Sequence, residues 1–502
     1  MKKIVLCEPK SPGYNVYSFL KLPRLGLALL GAILKQAGYE VVIFAENISA
    51  LDFEEIFSAD AVGISTLTCT TPRAYALADV IKQNSNATVF MGGPHVSFMP
   101  DEALKHCDYV FRGEAENTIL AFIEALQAKS GYSKIPGLSY NDNDHIVHNP
   151  DNPLIHDLDA LPSPDLSLYS GKLKKSVSPL ITSRGCPYDC TFCSVTKMFG
   201  RGYRTHSIDR VFTEIKSLLD QDYNWMFFYD DNFAANPKRT KTLLKRMIDE
   251  KLDFKWGAQV RAEVAKDPEL LELMQQAGAE CLYIGFESIN PETLKCYNKK
   301  QSLADIENAI HEIHKYNINI HGMFVVGSDA DDSSTVSHTV DFAISNRIDT
   351  IQLMALVPMP GSLIYDQIHQ EGRILTYDWG KYDAHFVVFK PLKMSAFELQ
   401  WEIIKGMMKF YSWKEVIKRV NSFDLRNTFF KMYGHFMLKH WNKFNIGWLD
   451  SVKGLGDGLS EKSRLLQSSV REAAHDMYAK VEALIKQHGY PPPWMQKQED
   501  HK

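Results

Sequence analysis

No stretch of this 502-residue chain reaches the roughly 18 consecutive apolar residues that cross a bilayer as a helix; the longest candidate, Leu25 to Leu34, lies inside an amphipathic segment. The apolar start Ile4-Val5-Leu6-Cys7 is cut off by Glu8, Pro9 and Lys10, too early for a secretory leader, and reads as a first β-strand. A soluble, cytoplasmic protein is expected. Net charge is also scarce. With 56 Lys and Arg against 61 Asp and Glu the balance is −5, so nothing points to nucleic acid or a strongly acidic partner. Cysteine is sparse: eight in the whole chain cannot build the dense disulfide framework of a secreted scaffold. Cys7, Cys69, Cys107, Cys281 and Cys296 are scattered and read as small buried hydrophobes, whereas Cys186, Cys190 and Cys193 are packed together, which suggests metal binding or catalysis. What is plentiful is ordinary: 45% hydrophobic and 11% aromatic residues suffice for more than one core, and the length suggests two to four domains.

Residues 1–128 alternate short apolar strands (3–6, 40–44, 61–65, 87–91, 109–111) with helical stretches, the signature of a doubly wound parallel sheet in an α/β fold. Such sheets bind ligands beyond the carboxyl ends of their strands. There the chain places Pro12-Gly13, Ser65-Thr66-Leu67-Thr68, Gly92-Gly93-Pro94-His95 and Arg112-Gly113-Glu114. Residue by residue, Gly92-Gly93 also suits a tight turn, and Ser65 and Thr68 also suit helix N-caps. No Gly-x-Gly-x-x-Gly opens the first helix, which argues against a nicotinamide cofactor.

Residues 129–175, rich in Asn, Asp, Pro, Gly and Ser, read as a linker with one small hairpin. A second β/α series over 176–395, with strands at 180–182, 255–260 and 319–326 and helices at 208–220, 303–315 and 333–345 among its elements, suits a partial (β/α)6 TIM-like barrel, with its site at the carboxyl ends of the strands. From 396 to 502 the chain reads as helical. Just after the first strand of the second series stands Cys186-Pro187-Tyr188-Asp189-Cys190-Thr191-Phe192-Cys193. Three thiolates so close can ligate three irons of a [4Fe-4S] cube and leave the fourth open for reaction. Structural zinc lacks a nearby fourth ligand, since His206 lies well beyond Cys193.

On these residues the second domain resembles the radical S-adenosylmethionine (SAM) superfamily. The loops around Leu22-Pro23-Arg24-Leu25-Gly26, Gly63-Ile64-Ser65, Gly92-Gly93-Pro94-His95 and Arg112-Gly113-Glu114 resemble the cobalamin-binding domain that precedes many of its members. The resemblance implies a [4Fe-4S] cluster, SAM and cobalamin as cofactors. It implies that Phe192 lies near adenine, Asp230 and Asp231 near the SAM ammonium, Arg261 near its carboxylate, Glu287 on the ribose and Val326 against the adenine. Asp231 could instead cap a helix, and Arg261 could serve a salt bridge. Ser65, Thr68, Gly92, Gly93, His95, Gly113 and Glu114 would lie near the corrin. The Asp-x-His-x-x-Gly motif that supplies an imidazole to cobalt is absent, so His95 is expected to be a loop residue, not a ligand. Asp329-Ala330-Asp331-Asp332 departs from the commoner Gly-x-Pro-Gly-Glu sequence, toward the hopanoid-methylase subgroup.

Radical methylation of an unactivated carbon in a small, apolar substrate is the activity so implied. A cyclase-like reaction, as in the anaerobic magnesium-protoporphyrin cyclase, and a non-catalytic corrinoid or Fe-S carrier are the alternatives. An electron donor such as flavodoxin or ferredoxin would be needed. The strand ends of both domains, around Ser65, Gly93 and Gly113 and around Cys193, Asp231 and Glu287, should converge on one cavity, with 357–362 and 382–386 on its substrate side. Between Ile403 and Leu449 nine Lys and Arg face two acids among many aromatics, which reads either as solvated helix faces over an aromatic core or as a surface that meets anionic lipid or a large apolar substrate.

Overall fold

A computed structural model describes residues 1–13, 22–143, 145–171, 173, 177–421, 424–445 and 447–456. It divides into two compact units, Met1–Leu449 and Asp450–Lys502. In the second, residues 450–456 belong to the helix Gly447–Gly456, and the helical expectation for 457–502 lies outside the described residues.

In the first unit, strands β1 (Lys3–Glu8), β2 (Glu40–Ala45), β3 (Ala61–Ser65), β4 (Thr88–Gly92) and β5 (Tyr109–Phe111) pair in parallel in the order β2-β1-β3-β4-β5. Ile4, Val5, Leu6 and Cys7 are all buried because β1 is covered on both faces, hence its unbroken apolar run. Ile4 and Leu6 pack with Leu27, Leu34 and Phe122 on one side, while Val5 and Cys7 pack with Leu77 and Ile81 on the other. Strand order reverses between β1 and β3, which opens a crevice at their carboxyl ends.

β6 (Leu138–Asp142) and β7 (His145–His148) extend this sheet in antiparallel fashion from β5. The hairpin expected within 129–175 is therefore part of the first sheet and not a free-standing linker element: Leu138, Ser139 and Tyr140 are buried, and Asn143 takes a left-handed φ of 47° at the turn.

β8 (Ser178–Leu180) starts the second sheet, two residues before the expected first strand at 180–182. β9 (Ser183–Arg184) and β10 (Arg204–Thr205) form a short antiparallel ribbon that brackets the three-cysteine loop. β11 (Trp225–Phe228), β12 (Lys255–Val260), β13 (Ala279–Glu287), β14 (Asn319–Val326) and β15 (Thr350–Ala355) complete a six-stranded parallel sheet in the order β15-β14-β13-β12-β11-β8. With β8 and β15 as edges the barrel is open. Five of the helices between these strands, Ile208–Asp220, Pro237–Asp249, Pro268–Gln276, Leu303–Lys315 and Ser333–Ser345, start on a side chain that accepts from the first turn: Ser207, Asn236, Asp267, Ser302 and Asp332.

Helices Ala396–Phe410, Trp413–Asn421 and Leu425–Asn445 follow. Gly406 lets the first of them approach the helix Ser333–Ser345 closely, since a Cβ there would stand 2.9 Å from Val340. Tyr411 Oη donates to Ile351 O (2.8 Å) and accepts from Ile351 N (3.0 Å), so the turn after that helix covers edge strand β15. Among the described residues no helix is long and apolar enough to cross a membrane.

Candidate functional site

Cys186, Cys190 and Cys193 sit on the loop between β9 and β10. Gly185, with φ +83°, turns the chain into it, and a Cβ there would lie 2.5 Å from Gly202 O. Two carboxylates brace the approach. Asp231 accepts from Gly185 N (3.1 Å), and the fully buried Asp230 accepts from Thr182 N (3.2 Å), from Thr182 Oγ1 (2.9 Å) and from Ser183 Oγ. Burial lifts Asp230 to about 6 in spite of these donors. Its oxygens are thus engaged by the strand leading into the cysteines, and both it and Asp231 line the open cavity.

Burial, opposed by a backbone hydrogen bond from Val195 and helped by Cys190, Asp231 and Cys186, pushes the Cys193 thiol up to about 12. The Cys186 thiol is raised by burial and by Asp231 and Cys190, and is drawn down by the Tyr188 backbone and Arg261. These mutual effects gather three thiols, one carboxylate and one guanidinium into one neighbourhood. Arg261 lies with Nη1 3.8 Å from Cys190 Sγ and its guanidinium 3.8 Å above the Tyr188 ring. As they stand, no three His, Cys, Asp or Glu side chains among the described residues are gathered closely enough to hold a metal ion. The donor set itself, three soft thiols on one short loop with a cation beside them, fits an iron–sulfur cluster with an open iron.

Arg261 also pairs with Glu263 (2.9 Å) and donates to Lys299 O, while Lys299 Nζ pairs with Glu287 (2.7 Å). Glu287 has φ +62° at the bulge between β13 and β14. Lys299, which the sequence reading did not single out, thus links the two strand ends expected to meet SAM. Phe192 packs edge-on against Tyr297 (5.0 Å), and Val326 is buried with its carbonyl accepting from Leu356 N (2.8 Å). In the divergent segment Asp331 accepts from Gly327 N (3.0 Å) and Ser328 N (3.1 Å), holding the strand-end turn, and Asp329 pairs with Arg373 (2.7 Å).

At the first sheet, Ser65, Gly92, Gly93, Gly113 and Glu114 line the cavity. Gly93, with φ +105°, lies so close to the β3 loop that a Cβ would stand 2.4 Å from Thr66 O. Thr68 is buried in a tight turn, and its neighbours Leu67, Cys69 and Thr70 take the place at the cavity. His95 is 1% exposed and does not line the cavity: its ring lies 4.8 Å from Trp379, and Nε2 is 3.8 Å from Glu102. Glu114 binds Arg184 (2.8 Å) and Arg204 (2.8 Å) and accepts from Ile155 N (2.9 Å), while Arg184 also pairs with Glu116 (2.7 Å). This buried knot ties the β5 loop of the first sheet to the ribbon that holds the cysteine loop.

Both sets of strand ends open onto one cavity of about 1420 Å³. Ser65, Gly93, Gly113 and Asp231 share it; Cys193 and Glu287 are not among its walls. The barrel contributes Trp225, Phe227, Tyr283, His321 and Gln352, side chains at alternate strand positions that the sequence reading passed over. Of 357–362 and 382–386 only His385 lines it, because Val357, Tyr382 and Phe386 are taken up in a core with Trp441 and Leu449. The expectation for the scattered cysteines is also corrected: Cys7 and Cys107 are buried, but Cys296 is exposed and Cys69 and Cys281 line the cavity wall.

A doubly wound sheet whose strand ends face a thiol-bearing open barrel across one cavity defines a two-domain corrinoid and iron–sulfur class of enzyme. Residues 15–123 match the B12 binding domain and residues 180–343 the Radical SAM superfamily. An uncharacterized methyltransferase of Pyrococcus horikoshii is 32% identical over 78% of this chain and 88% of its own length. The bacteriochlorophyllide d C-12(1)-methyltransferase of Chlorobaculum tepidum is 30% identical over 86% and 91%. The chain belongs to this family of cobalamin-binding radical SAM methyltransferases. Its fold is shared with the cobalamin-dependent S-adenosylmethionine radical enzyme OxsB, solved with aqua-cobalamin and S-adenosylmethionine bound (TM-score 0.67, 16% identity, 97% of this chain and 81% of that one).

Proposed function

We propose that this enzyme methylates an unactivated carbon of a large, mainly apolar small molecule, in the cytoplasm, with a flavodoxin- or ferredoxin-type electron donor. The observation that carries the reading is the shared cavity. At about 1420 Å³ it exceeds the roughly 300–1,000 Å³ of ordinary ligand pockets, which supports room for a corrinoid and a substrate together. Trp225, Phe227, Tyr283 and Trp441 favour an apolar guest, and His321 and Gln352 offer polar handles. Relatives acting on bacteriochlorophyllide d support a flat, ring-shaped acceptor class.

In this reading Cys186, Cys190 and Cys193 hold the cluster. Phe192, Asp231, Arg261, Glu287 and Val326 surround SAM, Asp230 braces the cysteine loop, and Ser65, Gly92, Gly93 and Gly113 bed the corrin over residues 1–128. When bound, the cluster with SAM supplies a hydrogen-abstracting radical, and the corrinoid supplies the methyl group. The chain's own part is to orient both and to exclude water. Arg261 offers a cation beside Cys190 for a carboxylate, and the glycines allow backbone to approach a large ring.

The test is anaerobic incubation of the reconstituted protein with methyl-labelled SAM, a reductant, cobalamin and candidate acceptors. Label in the product, with S-adenosylhomocysteine and 5′-deoxyadenosine in comparable amounts, is expected. Deoxyadenosine without S-adenosylhomocysteine in the presence of the true substrate would place the enzyme with the ring-forming cyclases instead.

A further inference from the structure

Of the seventeen large apolar side chains exposed among the described residues, ten lie between Trp401 and Phe444. They are not scattered. On the helix Trp413–Asn421, Trp413, Ile417 and Val420 recur at helical spacing and are 46%, 55% and 46% exposed, while Val416 faces inward at 3%. On the helix Leu425–Asn445, Phe429, Tyr433 and Phe436 form a second outward stripe, with Trp441 turned in. The stripes meet where the Trp413 and Phe436 rings lie 6.2 Å apart, and the Phe429 and Tyr433 rings stack at 6.5 Å. A contiguous exposed apolar patch of this kind marks a surface that something covers.

Two further observations say what. The segment is basic, with nine Lys and Arg against Glu415 and Asp424 between Ile403 and Leu449, and Lys414, Lys418, Lys439 and Lys443 are exposed beside the stripes. Aromatic stripes flanked by lysines suit the headgroup layer of an anionic bilayer. A two-fold contact with a second copy would instead set lysine rim against lysine rim. The same helix also walls the cavity: Phe430 and Tyr433 line it and are yet 43% and 46% exposed, so they stand at its mouth, within the apolar face.

We propose that the paired helices Trp413–Asn421 and Leu425–Asn445 seat the enzyme on an anionic membrane surface, with the cavity opening into the acyl layer at Phe430 and Tyr433. The methyl acceptor is then a lipophilic molecule that partitions from the bilayer into the cavity without crossing water. The acceptor clause rests on the methylation reading above; the membrane seat does not.

Flotation of the reconstituted full-length protein with vesicles of phosphatidylcholine alone, or mixed with phosphatidylglycerol, reads the seat without turnover. Flotation with the mixed vesicles is expected, along with its loss in Phe429→Ser/Phe436→Ser and about fivefold weakening for each lysine removed in Lys414→Gln and Lys439→Gln. These positions are exposed, so an unchanged thermal midpoint verifies folding. Acyl-chain-brominated phosphatidylcholine in the mixed vesicles should quench the added fluorescence of Tyr433→Trp and that lost in Trp413→Phe. Absence of flotation, flotation that survives the serine substitutions, or a Tyr433→Trp signal blind to bromine overturns the proposal. A dimer abolished by the same serine substitutions would also overturn it, assigning the face to a second copy. Vesicle binding without any methyl transfer would leave the seat standing and remove only the methylation reading.

Discussion

Lys431 shows what one buried charge contributes. It is 2% exposed, with Nζ 3.0 Å above the Phe410 ring centre and donating to Phe410 O (3.1 Å). Burial, then the nearby Arg419, pulls its pKa down to about 7, from about 10.4 in an unfolded chain. Below pH 7 both states hold the proton and the desolvation penalty is at its full size. From pH 7 upward the unfolded chain binds the extra proton, so stability rises with pH and the penalty is gone near pH 10.4. Lys431→Met should therefore stabilise the fold by roughly 1–4 kcal/mol at pH 7, and the gain should shrink toward pH 10 in thermal melts. A gain constant across that range would assign it to packing instead. Among the cysteines, Cys186→Ala, Cys190→Ala and Cys193→Ala should each abolish the reconstituted cluster's absorbance and deoxyadenosine formation, whereas Cys281→Ala should do neither. A SAM-cleaving cluster in the Cys190 variant would refute the assignment. His95→Ala should leave the electron paramagnetic resonance of bound cob(II)alamin without loss of nitrogen coupling, because the His95 ring is turned toward Trp379.

At the scale of elements, the Glu114 knot joins the two sheets. Its carboxylate is 2% exposed and faces guanidinium groups on β9 and β10. Glu114→Ala would leave the buried Arg204 without a carboxylate and Arg184 with Glu116 alone, and should cost roughly 3–5 kcal/mol, read as a lowered Tm. Glu114→Gln, which keeps hydrogen-bond acceptance, should recover part of the loss; equal midpoints for the two variants would mean the knot carries no charge pairing. Period and capping explain why the elements were legible beforehand. The expected helices over 208–220, 303–315 and 333–345 and the strands over 255–260 and 319–326 coincide with the structure because each helix begins on a capping side chain and each strand is a short, mostly apolar segment. Polar residues lining the barrel were harder to read. His321 and Gln352 interrupt apolar strands at alternate positions, a mark of an inward face over a cavity, but the same pattern also fits a solvated sheet until the helices that close it are known.

For the whole molecule, the class of fold could be read from alternation and the cysteine spacing, since both are local. That the two sets of strand ends face one cavity followed from the family resemblance, but the contacts that fix the sheets against each other could not be read, because pairs such as Glu114 with Arg184 and Arg204 join residues 70 and 90 positions apart. Nor could the cavity's closure, which Leu438, Trp441 and Asn442 supply from a helix far along the chain. The size of that cavity has a consequence for how the enzyme is filled. At roughly 30 Å³ per molecule, 1420 Å³ corresponds to several tens of waters that a corrin and a substrate must displace. Loading is thus a dehydration reaction driven in part by solvent activity. Sucrose or another excluded osmolyte should tighten hydroxocobalamin binding steeply with osmolality, and hydrostatic pressure should shift the same equilibrium through the difference between cavity water and bulk water.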